Sequence, residues 1–195
     1  REVGGEEVEV MSIAGGDEDP HFVQAKPSFI MKLKKADLFI QVGLELEVGW
    51  APALLNAARN PRILPGNPGF LEAAAGCEIL DVPTGPVSRA EGDVHPYGNP
   101  HYWLDPANGA VIAGTIAERL KALDPGHAPA YDKNLSAFLA RLDQSLSYLK
   151  RDYVDLYLFH FPSGRLPGKN ENDVFCDIMS KLKETGKARL VGLSN

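Results

Sequence analysis

Three histidines in this chain sit in loop contexts able to hold a metal ion. His21 closes the tripeptide Asp19-Pro20-His21, and His101 closes Asn99-Pro100-His101. His95 stands shortly before the second of these, in Gly92-Asp93-Val94-His95-Pro96. Neutral imidazole is a good ligand for zinc and other late first-row divalent ions. The prolines before His21 and His101 restrict the residue ahead of them and stiffen the loops that present the rings. Spacing alone also allows three surface histidines with no shared role. His127, in Pro125-Gly126-His127, stands near a helix start and reads as a cap or as a residue with no role, outside the group.

A second constellation lies near the end of the chain. The run from Asp152 to Pro162 is β-prone and carries His160 at the end of its apolar stretch. Arg189 to Leu193 is a second such run, followed by Ser194 and Asn195. In a barrel of parallel strands, polar residues at strand carboxyl ends face the active-site mouth. The plain alternative is a histidine that ends a strand and a Ser-Asn turn.

The elements that must position these residues have an α/β pattern. Val8–Ile13 reads as a strand ending in Gly15-Gly16. From Pro27, the residues Phe29, Ile30, Leu33 and Ala36 recur at helical spacing. Leu38–Val42 reads as a strand, Val48–Ala58 as a helix carrying Trp50, Leu54 and Leu55, and Cys77–Val82 as a third strand. The order β-α-β-α-β predicts a Rossmann-like lobe with a parallel sheet and right-handed crossovers. Loops at the carboxyl ends of such strands are where open α/β sheets bind ligands. His21 falls on the first of these loops, and His95 and His101 fall late in a long Gly/Pro-rich loop from Pro83 to Pro106. Helices follow from Asn108 to Leu123 and from Ala128 towards Lys150. The pattern then restarts with strand Tyr153–His160, loop Phe161–Asn170, helix Glu171–Glu184 and strand Arg189–Leu193, an incomplete β-α-β piece. Its strands are nearly continuous apolar runs and need cover on both faces. They either add to the edge of the first sheet or leave an exposed edge that promotes self-association, which a monomeric mass by light scattering would exclude.

Composition narrows the function classes. The chain has 195 residues, 44% hydrophobic and 24% charged, enough to bury a core without disulfide or metal staples. Its 20 basic and 26 acidic residues leave a net charge of −6. That balance speaks against nucleic-acid partners and against a polybasic membrane-surface protein. No apolar run reaches the roughly 20 residues that span a bilayer. Cys77 and Cys176 are too far apart for a metal-type CxxC pair. The chain opens on Arg1-Glu-Val-Gly-Gly5 with neither an initiator Met nor a signal-peptide pattern, which implies processing or a fragment.

Several of these motifs, in this order, carry a resemblance. Asp19-Pro-His21 with Lys26-Pro-Ser28, the run Ala36–Glu47, Asn99–Pro106, and Tyr131–Leu135 continuing to about Asp143 resemble the zinc/manganese-binding solute-binding proteins of ABC transporters. The resemblance covers residues 1–143 and implies an amino-terminal metal-binding lobe with the start of a linker helix. It implies that His21 and His101 are ligands of a zinc or manganese ion, with His95 on a variable, often His-containing loop as an auxiliary ligand. In that family a second lobe supplies the remaining ligands, a His or Glu and an Asp. The implied partner is the transporter's membrane subunit, and the implied location is the periplasm or cell surface.

Residues 144–195 resemble a different family. Ser145–Leu149, Asp152–Pro162, Lys183–Arg189 and Gly192–Asn195 are similar to an internal piece of the aldo-keto reductases, NAD(P)H-dependent (β/α)8 barrel enzymes. That resemblance implies that His160 is the tetrad histidine orienting a substrate carbonyl. It also implies that Ser194 and Asn195 bind the nicotinamide carboxamide, in a cytoplasmic protein. The family's catalytic Tyr, Lys and Asp have no counterpart here, so the expectation under it is an inactive piece. A third expectation is a fusion with no evolved activity as a unit, joined between Leu142 and Leu149. There Leu135, Phe138, Leu142, Leu146 and Leu149 keep helical spacing across the join.

Overall fold

Residues 1–15, 18–85, 87, 95–149, 154–160 and 188–194 are described by the computed structural model. The chain divides into two compact units, Arg1–Leu142 and Asp143–Asn195.

In the first unit, Pro27 occupies the first turn of helix α1, Pro27–Leu33, where a missing N–H costs nothing. Strand β1, Phe39–Gln41, follows. Helix α2, Ala51–Ala58, buries Ala51, Leu54, Leu55 and Ala58, the i, i+3, i+4, i+7 stripe of an amphipathic helix. It leads to strand β2, Phe70–Glu72. The two strands pair in parallel, Phe39 opposite Phe70 and Gln41 opposite Glu72, so β1-α2-β2 is a crossover unit. The core beneath it gathers Val23, Leu33, Phe39, Trp50, Leu54, Leu55 and Ile63. Buried Asn60 ties the pieces together: its amide donates to the carbonyls of Leu33 (3.0 Å) and Ala36 (2.8 Å) and its oxygen accepts from the Arg62 N–H.

Two expected strands are not formed. Cys77–Val82 makes no ladder, because loop partners take its backbone groups. The Glu78 N–H donates to Asn108 Oδ1 (2.8 Å), and the Leu80 carbonyl accepts from the Asn99 N–H (2.8 Å). Asp81 also has a φ of 57°, which a ladder does not continue through. The partner of β1 is instead the three-residue β2, set in register by Phe39 N–H to Gly69 O and Ala73 N–H to Gln41 O. Gly69 is required there, since a Cβ would stand 2.4 Å from the Asp37 carbonyl oxygen. Val8 is extended (φ −134°, ψ 139°), but among the described residues Val8–Ile13 pairs with no strand. β propensity supplies the extended backbone, and a ladder also needs a partner edge.

Helix α3, Pro106–Leu123, starts under an Asp105 cap whose carboxylate accepts from the Ala107 N–H at 2.9 Å. After a short 3-10 turn, helix α4 runs unbroken over Ala128–Leu149. Ala113 and Ala117 of α3 form a second core cluster with Val3, flanked by Leu135 and Phe138 of α4. Among the described residues no helix is long and apolar enough to cross a membrane.

In the second unit, strand β3, Val154–His160, pairs in parallel with strand β4, Ala188–Ser194. They form a two-stranded sheet of their own among the described residues. The expected loop 161–170 and helix 171–184 lie outside the described residues. Two parallel strands are all that is described of the expected barrel piece.

Candidate metal centre

His21 and His101 are held by the same local device. In each tripeptide the residue two before the histidine folds its side-chain oxygen back onto the histidine's own backbone and ring. Asp19 Oδ1 accepts from the His21 N–H (2.9 Å) and meets His21 Nδ1 at 2.7 Å. Asn99 Oδ1 accepts from the His101 N–H (3.0 Å) and meets His101 Nδ1 at 3.1 Å. Both are Asx turns across a proline, with the ring as an extra donor.

Each turn is anchored to the fold. The Trp50 indole N–H donates to the Pro20 carbonyl at 2.8 Å, fixing the first turn to the start of α2. The second follows Gly98, whose φ of 99° suits glycine and whose Cβ, if present, would stand 2.6 Å from Ile79 Cγ2. Beyond it, the buried Tyr102 hydroxyl donates to the Val42 carbonyl at the end of β1 (2.7 Å). Burial, then the nearby Cys77, Glu47 and Glu72, keep that phenol protonated and able to donate. Buried Asn108 donates to the carbonyls of Glu78 and Tyr102, both at 3.0 Å, and so clamps this loop to α3. Glu47 closes the turn after β1, accepting from the N–H groups of Val42 (2.7 Å) and Gly43 (3.1 Å). Burial raises the Glu47 carboxyl above its usual range despite these donors, and the Glu72 charge adds to the rise.

The rings then converge. His21 Nε2 lies 3.2 Å from His95 Nε2, with ring centroids 5.3 Å apart. The His101 ring is 6.2 Å from that of His21 and 5.1 Å from Trp103. Tetrahedral zinc with bonds of 2.0–2.1 Å puts two ligand nitrogens about 3.3 Å apart and their ring centroids about 5 Å apart. The His21–His95 pair has that spacing, and His101 stands about 1 Å outside it. Among the described residues no set of three or more His, Cys, Asp and Glu side chains is drawn together tightly enough to hold an ion as it stands. A cleft of about 470 Å³ lined by Gln41, Glu45, Glu47, Glu72 and Tyr97 adjoins the loop of His95 but contains none of the three histidines. Desolvation pushes the Asp19 carboxyl upward. The His21 N–H, its ring, and the charges of His21 and His101 outweigh that and hold it below its usual value. Cys77 offers no competing thiolate, because burial and then Asp105 raise its thiol. Cys176 lies outside the described residues.

Asp19 and Asn99 were not singled out as functional from the sequence, although the repeated Asx-Pro-His pattern was visible there. In the second unit, His160 and Ser194 are register partners at the carboxyl ends of β3 and β4, and Asn195 lies outside the described residues. His127 joins no cluster with the other histidines. Its ring bridges Asp124 (2.7 Å) and Glu7 (3.3 Å), beside the start of α4.

A family model described as zinc-uptake complex component A, periplasmic, matches residues 1–155. The aldo/keto reductase family model matches the shorter stretch 116–195. The chain is 31% identical over 150 residues to the manganese ABC transporter substrate-binding lipoprotein PsaA of Streptococcus pneumoniae, covering 74% of this chain and 45% of that protein. It thus spans less than half the length of that relative. A crystal structure of ZnuA superposes with a TM-score of 0.62 at 25% identity, covering 98% of this chain and 84% of that one. A zinc-bound ZnuA deletion mutant gives a TM-score of 0.64, also at 25% identity, over 98% and 83% of the two chains.

Proposed function

The chain belongs to the periplasmic zinc-uptake component A family, and we propose that residues 1–143 are a metal-binding receptor lobe in which His21, His101 and His95 hold a zinc or manganese ion as cargo. The observation that carries this is the pair of Asx-Pro-His turns, which hold His21 beside His95 at ligand spacing and set the His101 ring 6.2 Å from that of His21. The membrane subunit of an ABC transporter is the partner, at the periplasmic or cell-surface side. Three imidazoles leave a tetrahedral ion with an open position, as expected of a carrier that must release its cargo.

Residues 144–195 are proposed as a separate segment without a reductase role. Hydride transfer requires cofactor and carbonyl held in near-attack geometry, and the reductase family's catalytic Tyr, Lys and Asp have no counterpart here. NAD(P)H is therefore not a proposed ligand, and His160, Ser194 and Asn195 are not proposed as site residues.

Calorimetric titration of the full chain tests the proposal. One zinc ion per chain is expected, bound more tightly than manganese, because nitrogen donors follow the Irving–Williams order. Affinity should fall on acidification, since an imidazole must be deprotonated to ligate. Absence of uptake of both zinc and manganese would overturn it; a preference for manganese would overturn only the expected order of the two ions.

A further inference from the structure

We propose that Asp19 and Asn99 are positioning residues that fix the tautomers of His21 and His101, and that the carboxylate-amide difference between them makes His21 the stronger metal donor. This rests on the metal-binding proposal above.

The argument begins with donor and acceptor bookkeeping. A carboxylate oxygen and an amide oxygen can only accept hydrogen bonds. Asp19 Oδ1 faces His21 Nδ1 at 2.7 Å, so Nδ1 is the nitrogen that carries hydrogen. Asn99 Oδ1 faces His101 Nδ1 at 3.1 Å, with the same consequence. The orientation of the Asn99 amide is fixed independently. Its oxygen receives the His101 N–H, and its nitrogen donates to Asp81 Oδ2 at 3.3 Å. In each neutral ring Nε2 is then the unprotonated nitrogen, the form needed to ligate a metal. For His21 the placement agrees, since its Nε2 is the atom that meets His95.

The two turns differ in one group. An ionised acceptor makes a shorter and stronger hydrogen bond than a neutral one, as 2.7 Å against 3.1 Å illustrates. A carboxylate behind the ring also raises the ligand basicity of the opposite nitrogen. His21 is accordingly the strong donor, already paired with His95, and His101 the weaker one that stands farther out.

Nitrogen-15 NMR of the metal-free full chain, labelled at histidine, reads the tautomers directly. In the unsubstituted protein both His21 and His101 are expected as the Nδ1–H form. Asp19→Ala should release His21 towards the Nε2–H form and lower zinc affinity about 10–100-fold, the usual range for loss of such a partner. Asp19→Asn should keep the tautomer but lose part of the affinity. Asn99→Asp should gain affinity without changing the tautomer. A His21 ring carrying hydrogen on Nε2 in the unsubstituted chain would overturn the inference. So would an Asp19→Ala variant with an unchanged tautomer. The tautomers are read without metal, so a chain with the expected tautomers that takes up no zinc refutes the functional proposal alone. A zinc-binding chain whose tautomers ignore Asp19→Ala refutes this inference alone.

Discussion

A His21→Ala/His101→Ala double variant is expected to lose about ten-thousandfold in zinc affinity. Closed zinc sites with four protein ligands bind with roughly 10–16 kcal/mol, so about 3 kcal/mol, or roughly a hundredfold, goes with each ligand. Removing two of three imidazoles leaves His95 alone, and one nitrogen with water cannot retain the ion at micromolar concentration. Each single variant should lose roughly a hundredfold, with His21→Ala the more damaging because the His21–His95 pair has ligand spacing already. Neither ring belongs to the main hydrophobic core clusters, so far-ultraviolet circular dichroism should be unchanged. Cys77→Ser serves as the control and should bind zinc normally, since its thiol is raised by burial. Calorimetry or competition with a chromophoric chelator reads all of these. Unaltered uptake in the double variant would show that the histidines are not the site.

The largest loss of stability is expected from Asn108→Ala. Asn108 is 4% exposed and makes three hydrogen bonds, one received from the Glu78 N–H and two given to the carbonyls of Glu78 and Tyr102. Each bond contributes about 1 kcal/mol, and groups left buried without partners cost more than a bond merely foregone. A loss of about 3 kcal/mol by urea unfolding follows, a large share of the roughly 5–15 kcal/mol of a typical domain. Asn108→Asp should be no better. It keeps the acceptor for the Glu78 N–H but sets a carboxylate against two carbonyl oxygens. Because the Tyr102 carbonyl lies next to His101 in sequence, zinc affinity should fall in both variants, by less than in His101→Ala. Normal stability in Asn108→Ala would show that the loop is held by other contacts.

These two predictions mark what could be read in the sequence. His21 and His101 were legible as candidates because imidazole chemistry and the Asx-Pro-His spelling are both local. Helix α2 was legible from its apolar period, and α4 from leucines that keep step to Leu149. Buried polar residues were not legible. Asn60, Asn108 and Glu47 look like ordinary surface residues until the backbone groups they serve are known. Strand β2 was missed because three residues carry too little pattern, and the glycine that permits its approach looks like a turn. Cys77–Val82 was misread because its β-prone composition says nothing of where its hydrogen bonds go. The same run is pinned to Asn99 and Asn108, and so helps position His101. In the second unit, the apolar runs 153–160 and 189–193 were legible as strands, and β3 and β4 form there, with β4 extending to Ser194. They did not suffice to specify a barrel, which depends on strands that a pair alone does not supply.

Zinc K-edge X-ray absorption on the chain loaded with one equivalent of zinc tests the ligand assignment most directly. The expected spectrum has a nitrogen or oxygen shell at about 2.0–2.1 Å, with outer-shell scattering from at least two imidazole rings and no sulfur. A sulfur shell at about 2.3 Å, or an oxygen shell without imidazole scattering, would contradict it.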